Sequence, residues 1–172
     1  DLGTFLADHA VDRILVHAGV VGWRGRAMLF PATSQGGKST MVEYLVRHGA
    51  EYYSDEYAAI DPVGRVHPWP RWLSLRQPGG KVRRVRPTRP GQDPLPIGLV
   101  LLTRYQEGAH FTPEVVAAGA GVLEVLAHTV AARTRPQEAL PFLREAVSQA
   151  LIWRGTRGDV SALAPRLFNL WT

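Results

Sequence analysis

Apolar positions in this chain follow several rhythms, and each predicts a different element. Residues 13–21, RILVHAGVV, form a dense β-branched and aliphatic run that predicts a strand. GWRG at 22–25 is a tight turn, and RAMLF at 26–30 is a second strand paired to the first as a hairpin. After a polar, glycine-bearing break at 31–37 the period lengthens. Met41, Val42, Leu45 and Val46 share one face of a helix over 38–49, and Gly49 ends it. AEYYS at 50–54 and YAAID at 57–61 predict short strands, with DPVGR as the following turn. From 62 to 96 the pattern dissolves into a proline-dense, basic segment, expected to be a long loop or flap with short extended pieces. IGLVLLTRY at 97–105 predicts a buried strand. The run 112–133 predicts one helix, with Thr112 as N-cap and Pro113 at the first helical position. A further helix is expected from Pro136 to about 148, then a strand in ALIWRGT and a final amphipathic helix in DVSALAPRLFNLW.

At 172 residues the chain is expected to be a single domain spanning 1–172, and nearly half its residues are apolar. No apolar run reaches 18 residues, so no membrane span is expected. The opening DLGTFLADHA has no leader pattern, and the absence of an initial Met is what a fragment lacking upstream residues would show. The chain has no cysteine, which excludes disulfides and thiolate metal sites and fits a cytoplasmic protein.

A net charge of +5 at first suggests nucleic acid, but of the 20 basic residues 18 are Arg and only Lys38 and Lys81 are Lys. That skew reflects general arginine use, and it makes the lysine at 38 informative. A compact ammonium sits among phosphate oxygens where a planar guanidinium would not. Lys38 belongs to Ala32-Thr33-Ser34-Gln35-Gly36-Gly37-Lys38-Ser39, close to the phosphate-loop pattern G-x-x-x-x-G-K-[ST] with Ala32 in place of the first glycine. The loop lies between a predicted strand and a predicted helix, as that motif requires. On this reading the backbone of 32–39 and the helix N-terminus cradle a nucleotide's phosphates, and Lys38 reaches the β- and γ-phosphates. Ser39, ahead of Thr40, would hold Mg²⁺. The metal also needs a carboxylate, and Asp55 and Glu56 end the strand after the loop helix. Asp61 belongs to a turn signal and reads as structural.

The order strand with VH, hairpin, LFPATSQGGKST, helix, RHGAEYYSDE resembles the C-terminal catalytic domain of HPr kinase/phosphorylase and its kinase-like relatives. The motif-bearing likeness covers about 13–76, including GRVHPWPRWLSLR at 64–76, and a weaker likeness runs onward. In that family a histidine precedes the loop lysine by about twenty residues, and here His17 precedes Lys38 by 21. An Arg-Gly pair and an Asp-Asp pair follow in the family; here they are Arg47 and Gly49, one residue further apart, and Asp55-Glu56. Ala32, Gln35 and Glu56 depart from the pattern.

The resemblance implies an α/β fold, a mixed sheet with flanking helices related to the ATP-dependent PEP carboxykinases. It implies ATP and Mg²⁺ as cofactors and transfer of the γ-phosphoryl group to a serine-type hydroxyl. Asp55 or Glu56 would take the acceptor proton or help hold the metal, and His17 would sit beside the transferring phosphate. The glycine-rich signature of the bifunctional enzymes is not evident, so kinase activity is expected without phosphorylase activity. The phosphocarrier itself is not the expected acceptor; a protein, peptide or small-molecule hydroxyl is. A non-catalytic nucleotide-binding regulatory module is the alternative, and a homo-oligomer is possible because family members form hexamers.

Other residues carry less chemistry. Arg71 and Arg76 flank WLSL and would suit phosphate or carboxylate, or simply solvent. Lys81, Arg83, Arg84, Arg86 and Arg89 would suit an acidic peptide or ATP. No aromatic residue interleaves with them, which argues against nucleic acid. His48, His67, His110 and His128 show no ligand spacing with carboxylates, so no structural metal is expected. Trp153, Phe168 and Trp171 are expected in the core or an interface.

Overall fold

The computed structural model describes residues 12–32, 37–69 and 71–172, the side chain of Arg133 apart. Strands β1 (Ile14–Trp23) and β2 (Arg26–Pro31) form the expected hairpin. Its turn is tighter than GWRG suggests. Trp23 pairs with Arg26, leaving only Arg24 and Gly25 in the turn, both at positive φ (48° and 74°). That is the two-residue mirror-image turn whose twist suits a hairpin. Helix α1 (Lys38–Arg47) follows, then β3 (Glu51–Ser54), β4 (Tyr57–Ile60), β5 (Arg65–His67), β6 (Leu73–Arg76), β7 (Val82–Val85) and the long β8 (Leu95–Tyr105). Beyond it come β9 (Glu114–Val115), α2 (Ala118–Leu126), a 3₁₀ turn (Val130–Arg133), α3 (Pro136–Val147), β10 (Leu151–Arg157) and α4 (Val160–Phe168).

Eight of these strands form one mixed sheet, so the fold is α/β with flanking helices. The first half of β1 pairs with β4, and its second half lies between β2 and β3. β8 runs parallel to both β2 and β10 and antiparallel to β5. The pairings β1–β2–β8–β5–β4–β1 therefore close on themselves, and the sheet curls around part of the core. Alternate residues of β2 serve opposite faces. Met28 and Phe30 pack with Met41, Val42 and Leu45 of α1 and Leu163 and Leu167 of α4. Ala27 and Leu29 pack with Val125 of α2 and Leu143 and Val147 of α3. Helix α1 crosses β1 closely: a Cβ on Gly19 would lie 2.8 Å from Val42 Cγ2, so only glycine allows that approach.

The run 112–133 is not one helix. Glu114 and Val115 pair with Arg154 and Trp153 at the sheet edge, and Val116 N–H donates to Ile152 O (2.9 Å). Ala117 is extended, so α2 starts only at Ala118, well past Thr112 and Pro113. The edge of β10 offers backbone partners and an arginine for Glu114, and sheet pairing overrides the local capping signal. Thr129 ends the helical stretch, with its buried hydroxyl donating to Val125 O (3.0 Å).

The 62–96 segment carries β5 into the main sheet and then forms a separate β6–β7 hairpin. Leu73 anchors this flap in the core beside α1, while Lys81, Arg83 and Arg84 are exposed. No helix among the described residues is long and apolar enough to cross a membrane.

Candidate functional site

Parallel pairing aims the carboxyl ends of β2, β8 and β10 at one edge of the sheet. β2 ends at Pro31, followed by Ala32, and Gly37 is the N-cap of α1. Residues 33–36, with the loop positions Thr33, Ser34, Gln35 and Gly36, lie outside the described residues. Gly37 is left-handed (φ 73°, ψ 18°), and a Cβ there would meet Arg157 Nη2 at 3.0 Å. Glycine is thus required for conformation and for room. Gly37 itself brings no capping side chain to the start of α1.

Lys38 turns back across the loop mouth and donates from Nζ to Ala32 O at 2.7 Å. Partial burial lowers its pKa from the ordinary lysine value, while the charges of Asp55 and Glu56 raise it again. One residue on, Ser39 Oγ donates to Asp55 Oδ2 at 3.0 Å. Asp55 is only 8% exposed. Its Oδ1 accepts from the Tyr52 hydroxyl (3.1 Å), and Oδ2 accepts a second bond, from Ser74 N–H of the flap (3.3 Å). The carboxylate is thus fixed by three donors from three elements. Burial, then the adjacent Asp55 charge, pushes the Tyr52 phenol well above its ordinary value, so it stays a donor. Thr40 is exposed on the same first turn.

Glu56 differs from its neighbour. It is exposed, and Arg71 lies 3.8 Å from its carboxylate, so the flap arginine singled out in the sequence does approach the site. Arg76 is exposed and makes no such contact among the described residues. His17 lies opposite Tyr57 across the β1–β4 ladder, ring centroids 4.5 Å apart. Partial desolvation, then Lys38, lowers its pKa, and Glu56 partly offsets this. His17, Lys38, Ser39, Asp55 and Glu56 are therefore brought together.

The structure adds two residues that sequence spacing did not single out. His17 N–H donates to His128 O (2.8 Å), which brings His128 to the site. Desolvation, then Lys38, lowers the His128 pKa, with Glu124 opposing and His17 adding to the fall. Arg157 ends β10 beside Gly37, 120 residues away in sequence. No short-range pattern signals either one; only the pairing of β10 with β8 and the fold of α2 place them there. Elsewhere among the described residues, His67 pairs with Asp61 at 2.7 Å, and His48 bonds Tyr44 O. Asp61 also accepts from Val63 and Arg65 N–H, as a turn residue does.

Two cavities open at the two ends of the loop. One of about 730 Å³ meets Ala32 and is walled by His128, Glu124, Arg104 and Arg154. Arg154 is held there by Glu124 and, at 3.9 Å, by Glu114. The other, about 390 Å³, meets Gly37 and Thr40. Among the described residues no group of three or more His, Asp or Glu forms a ready-made metal cage. Ser39 and Asp55 nonetheless fit Mg²⁺, which commonly takes one or two protein ligands and fills its shell with phosphate oxygens and water. Compared with known proteins, the chain matches no family model and no curated sequence.

Proposed function

We propose that this chain is an ATP-dependent kinase of the HPr kinase-like group, moving the γ-phosphoryl group of ATP onto a hydroxyl. The observation that carries this reading is the Ser39–Asp55 hydrogen bond in the first turn of α1, beside Lys38. A hydroxyl, a buried carboxylate and an ammonium group then meet at a helix N-terminus behind a glycine-bearing loop, the set that a magnesium–nucleotide complex needs. Residues 32–40 would surround the phosphates. Lys38 would exchange its bond to Ala32 O for phosphate oxygens. Mg²⁺, held by Ser39 and Asp55, would neutralise charge on the phosphates.

The two carboxylates divide the work. Asp55, with its oxygens already occupied by Ser39, Tyr52 and Ser74, holds the metal side rigid. Glu56, exposed and loosely held, takes the proton of the acceptor hydroxyl as the new P–O bond forms and the bond to the ADP oxygen breaks. His17 and His128 stand beside the γ end of the loop as neutral hydrogen-bond partners. The larger cavity, which begins at Ala32 where Lys38 points, is the place for the acceptor, a protein, peptide or small-molecule hydroxyl.

The test is incubation with γ-labelled ATP, Mg²⁺ and candidate hydroxyl acceptors, native chain against Lys38→Ala. The expected loss of label transfer is on the order of 10²-fold or more with the fold retained. Equal transfer by both proteins would remove the mechanism, and nucleotide binding by the native chain with no transfer or hydrolysis would favour the non-catalytic module.

A further inference from the structure

Arg157 presents an electrostatic problem that the kinase reading does not address. It is only 5% exposed, yet no carboxylate pairs with it among the described residues, and its Nε has no hydrogen-bond partner there. Nη1 donates to Gly158 O (3.1 Å), and the guanidinium lies 5.5 Å from the Tyr105 ring centroid. These contacts ease the burial of a charge but do not neutralise it. Asp159, the nearest acid in sequence, forms no ion pair with it: its charge favours the guanidinium from a distance, while its Oδ1 accepts from the Tyr105 hydroxyl at 3.2 Å. Meanwhile Nη2 lies 3.0 Å from where a side chain on Gly37 would start, at the positive end of the ten-residue helix α1. A buried cation and a helix N-terminus repel each other unless an anion sits between them.

The cavity beside Arg157 has the walls such an anion's carrier would need. It opens on Gly37 and Thr40, Met41, Tyr44, Tyr105 and Val160 give it a mainly apolar, partly aromatic lining, and Asp159 and Ser161 add polar groups on the α4 side. Its volume, about 390 Å³, falls within the range of small-molecule sites. Its position fits the direction of a bound nucleotide. Lys38 marks the γ-phosphate end by reaching toward Ala32, so the nucleoside end belongs on the Gly37–Thr40 side.

We infer that the cavity between α1, the end of β8 and the start of α4 is the nucleoside pocket. In it Arg157 grips the phosphates nearest the ribose, and Tyr44 and Tyr105 contact the base. The inference rests on the kinase reading for the orientation of the nucleotide, but it assigns residues which that reading does not use. It also implies specificity for a nucleoside triphosphate over a bare polyphosphate.

Equilibrium binding of two probes, Mg–ATP and inorganic tripolyphosphate, tests it. Val160→Trp is expected to weaken Mg–ATP roughly tenfold or more and to leave tripolyphosphate unchanged, and Tyr105→Ala, whose ring also faces Arg157, to weaken Mg–ATP much more than tripolyphosphate. Retained tripolyphosphate binding would itself show that these variants are folded. Arg157→Gln is expected to weaken both probes, with part of the loss recovered in Arg157→Lys. If Tyr105→Ala and Val160→Trp bind Mg–ATP as the native chain does while Lys38→Ala does not, the pocket is wrong and the kinase reading stands. If the native chain binds neither probe, both fall. Should Arg157→Gln fail to fold, the Tyr105 and Val160 variants decide.

Discussion

His17 and His128 meet Lys38 from two different elements, and both titrate below the ordinary histidine value of 6.5 because desolvation and the ammonium group disfavour a second positive charge. The unfolded chain takes up these protons near 6.5 and the folded chain only at lower pH. Between those points the unfolded state binds more protons, so stability rises with pH. The contribution is complete above about 6.5 and is lost as the pH falls through the folded-state values. Denaturant unfolding from pH 7.5 down to 5 should show this loss, and the double variant His17→Asn, His128→Asn should show a shallower slope. The main-chain bond from His17 N–H to His128 O survives those substitutions, so the comparison isolates the rings. An unchanged slope would mean that neither burial nor Lys38 disfavours the charged rings.

Elements come together here with little slack, and glycine positions measure it. Gly19→Ala places a Cβ 2.8 Å from Val42 Cγ2, a stiff β-branched neighbour on α1. Either α1 lifts from β1 or both strain, and the expected cost is about 1–3 kcal/mol. The lifted helix also carries Lys38 and Ser39, so nucleotide affinity should fall with stability. Gly119→Ala in α2 meets nothing within 4 Å and should instead stabilise by roughly 0.4–1 kcal/mol. Thermal unfolding of the two variants, with opposite signs, tests the packing directly. The same scale explains what could be read in advance. The β1–β2 hairpin, α1 and β3–β4 were legible because Val20, Leu29, Val42 and Leu45 repeat at their own element's period and the turns carry their own chemistry. Lys38, Ser39 and Asp55 could be grouped in advance because all lie within one local strand–helix–strand unit. The stretch 112–133 was not, because Glu114 and Val115 answer to a strand nearly forty residues away. Arg157 and His128 were invisible for the same reason. Their place depends on sheet register, and a window of sequence contains no register.

Across the whole molecule, the proposed site is assembled from segments that only the fold holds together. Lys38 and Ser39 come from α1, Asp55 from the β3–β4 corner, Ser74 from the flap and Arg157 from β10. An unfolded chain offers these groups separately and holds no triphosphate, so ligand binding should appear as added stability. At a ligand concentration of 100 times Kd the gain is about 2.7 kcal/mol. In a domain of this size each kcal/mol raises Tm by roughly 2–4 °C. Mg–ATP should therefore raise Tm by about 5–10 °C, and Mg²⁺ alone by much less. Lys38→Ala removes the ammonium group and should abolish most of the shift. Asp55→Asn should lower the Tm of the free protein as well as the shift, because the amide replaces an acceptor already engaged by Ser39, Tyr52 and Ser74. The flap supplies a further reading of the same equilibrium. Its Ser74 N–H ends on the carboxylate that would hold the metal, so nucleotide should slow amide exchange at Ser74 together with the first turn of α1. A Tm that does not move with saturating Mg–ATP, or exchange that slows in α1 but not at Ser74, would mean that Asp55 links the flap to its neighbours without linking it to a ligand.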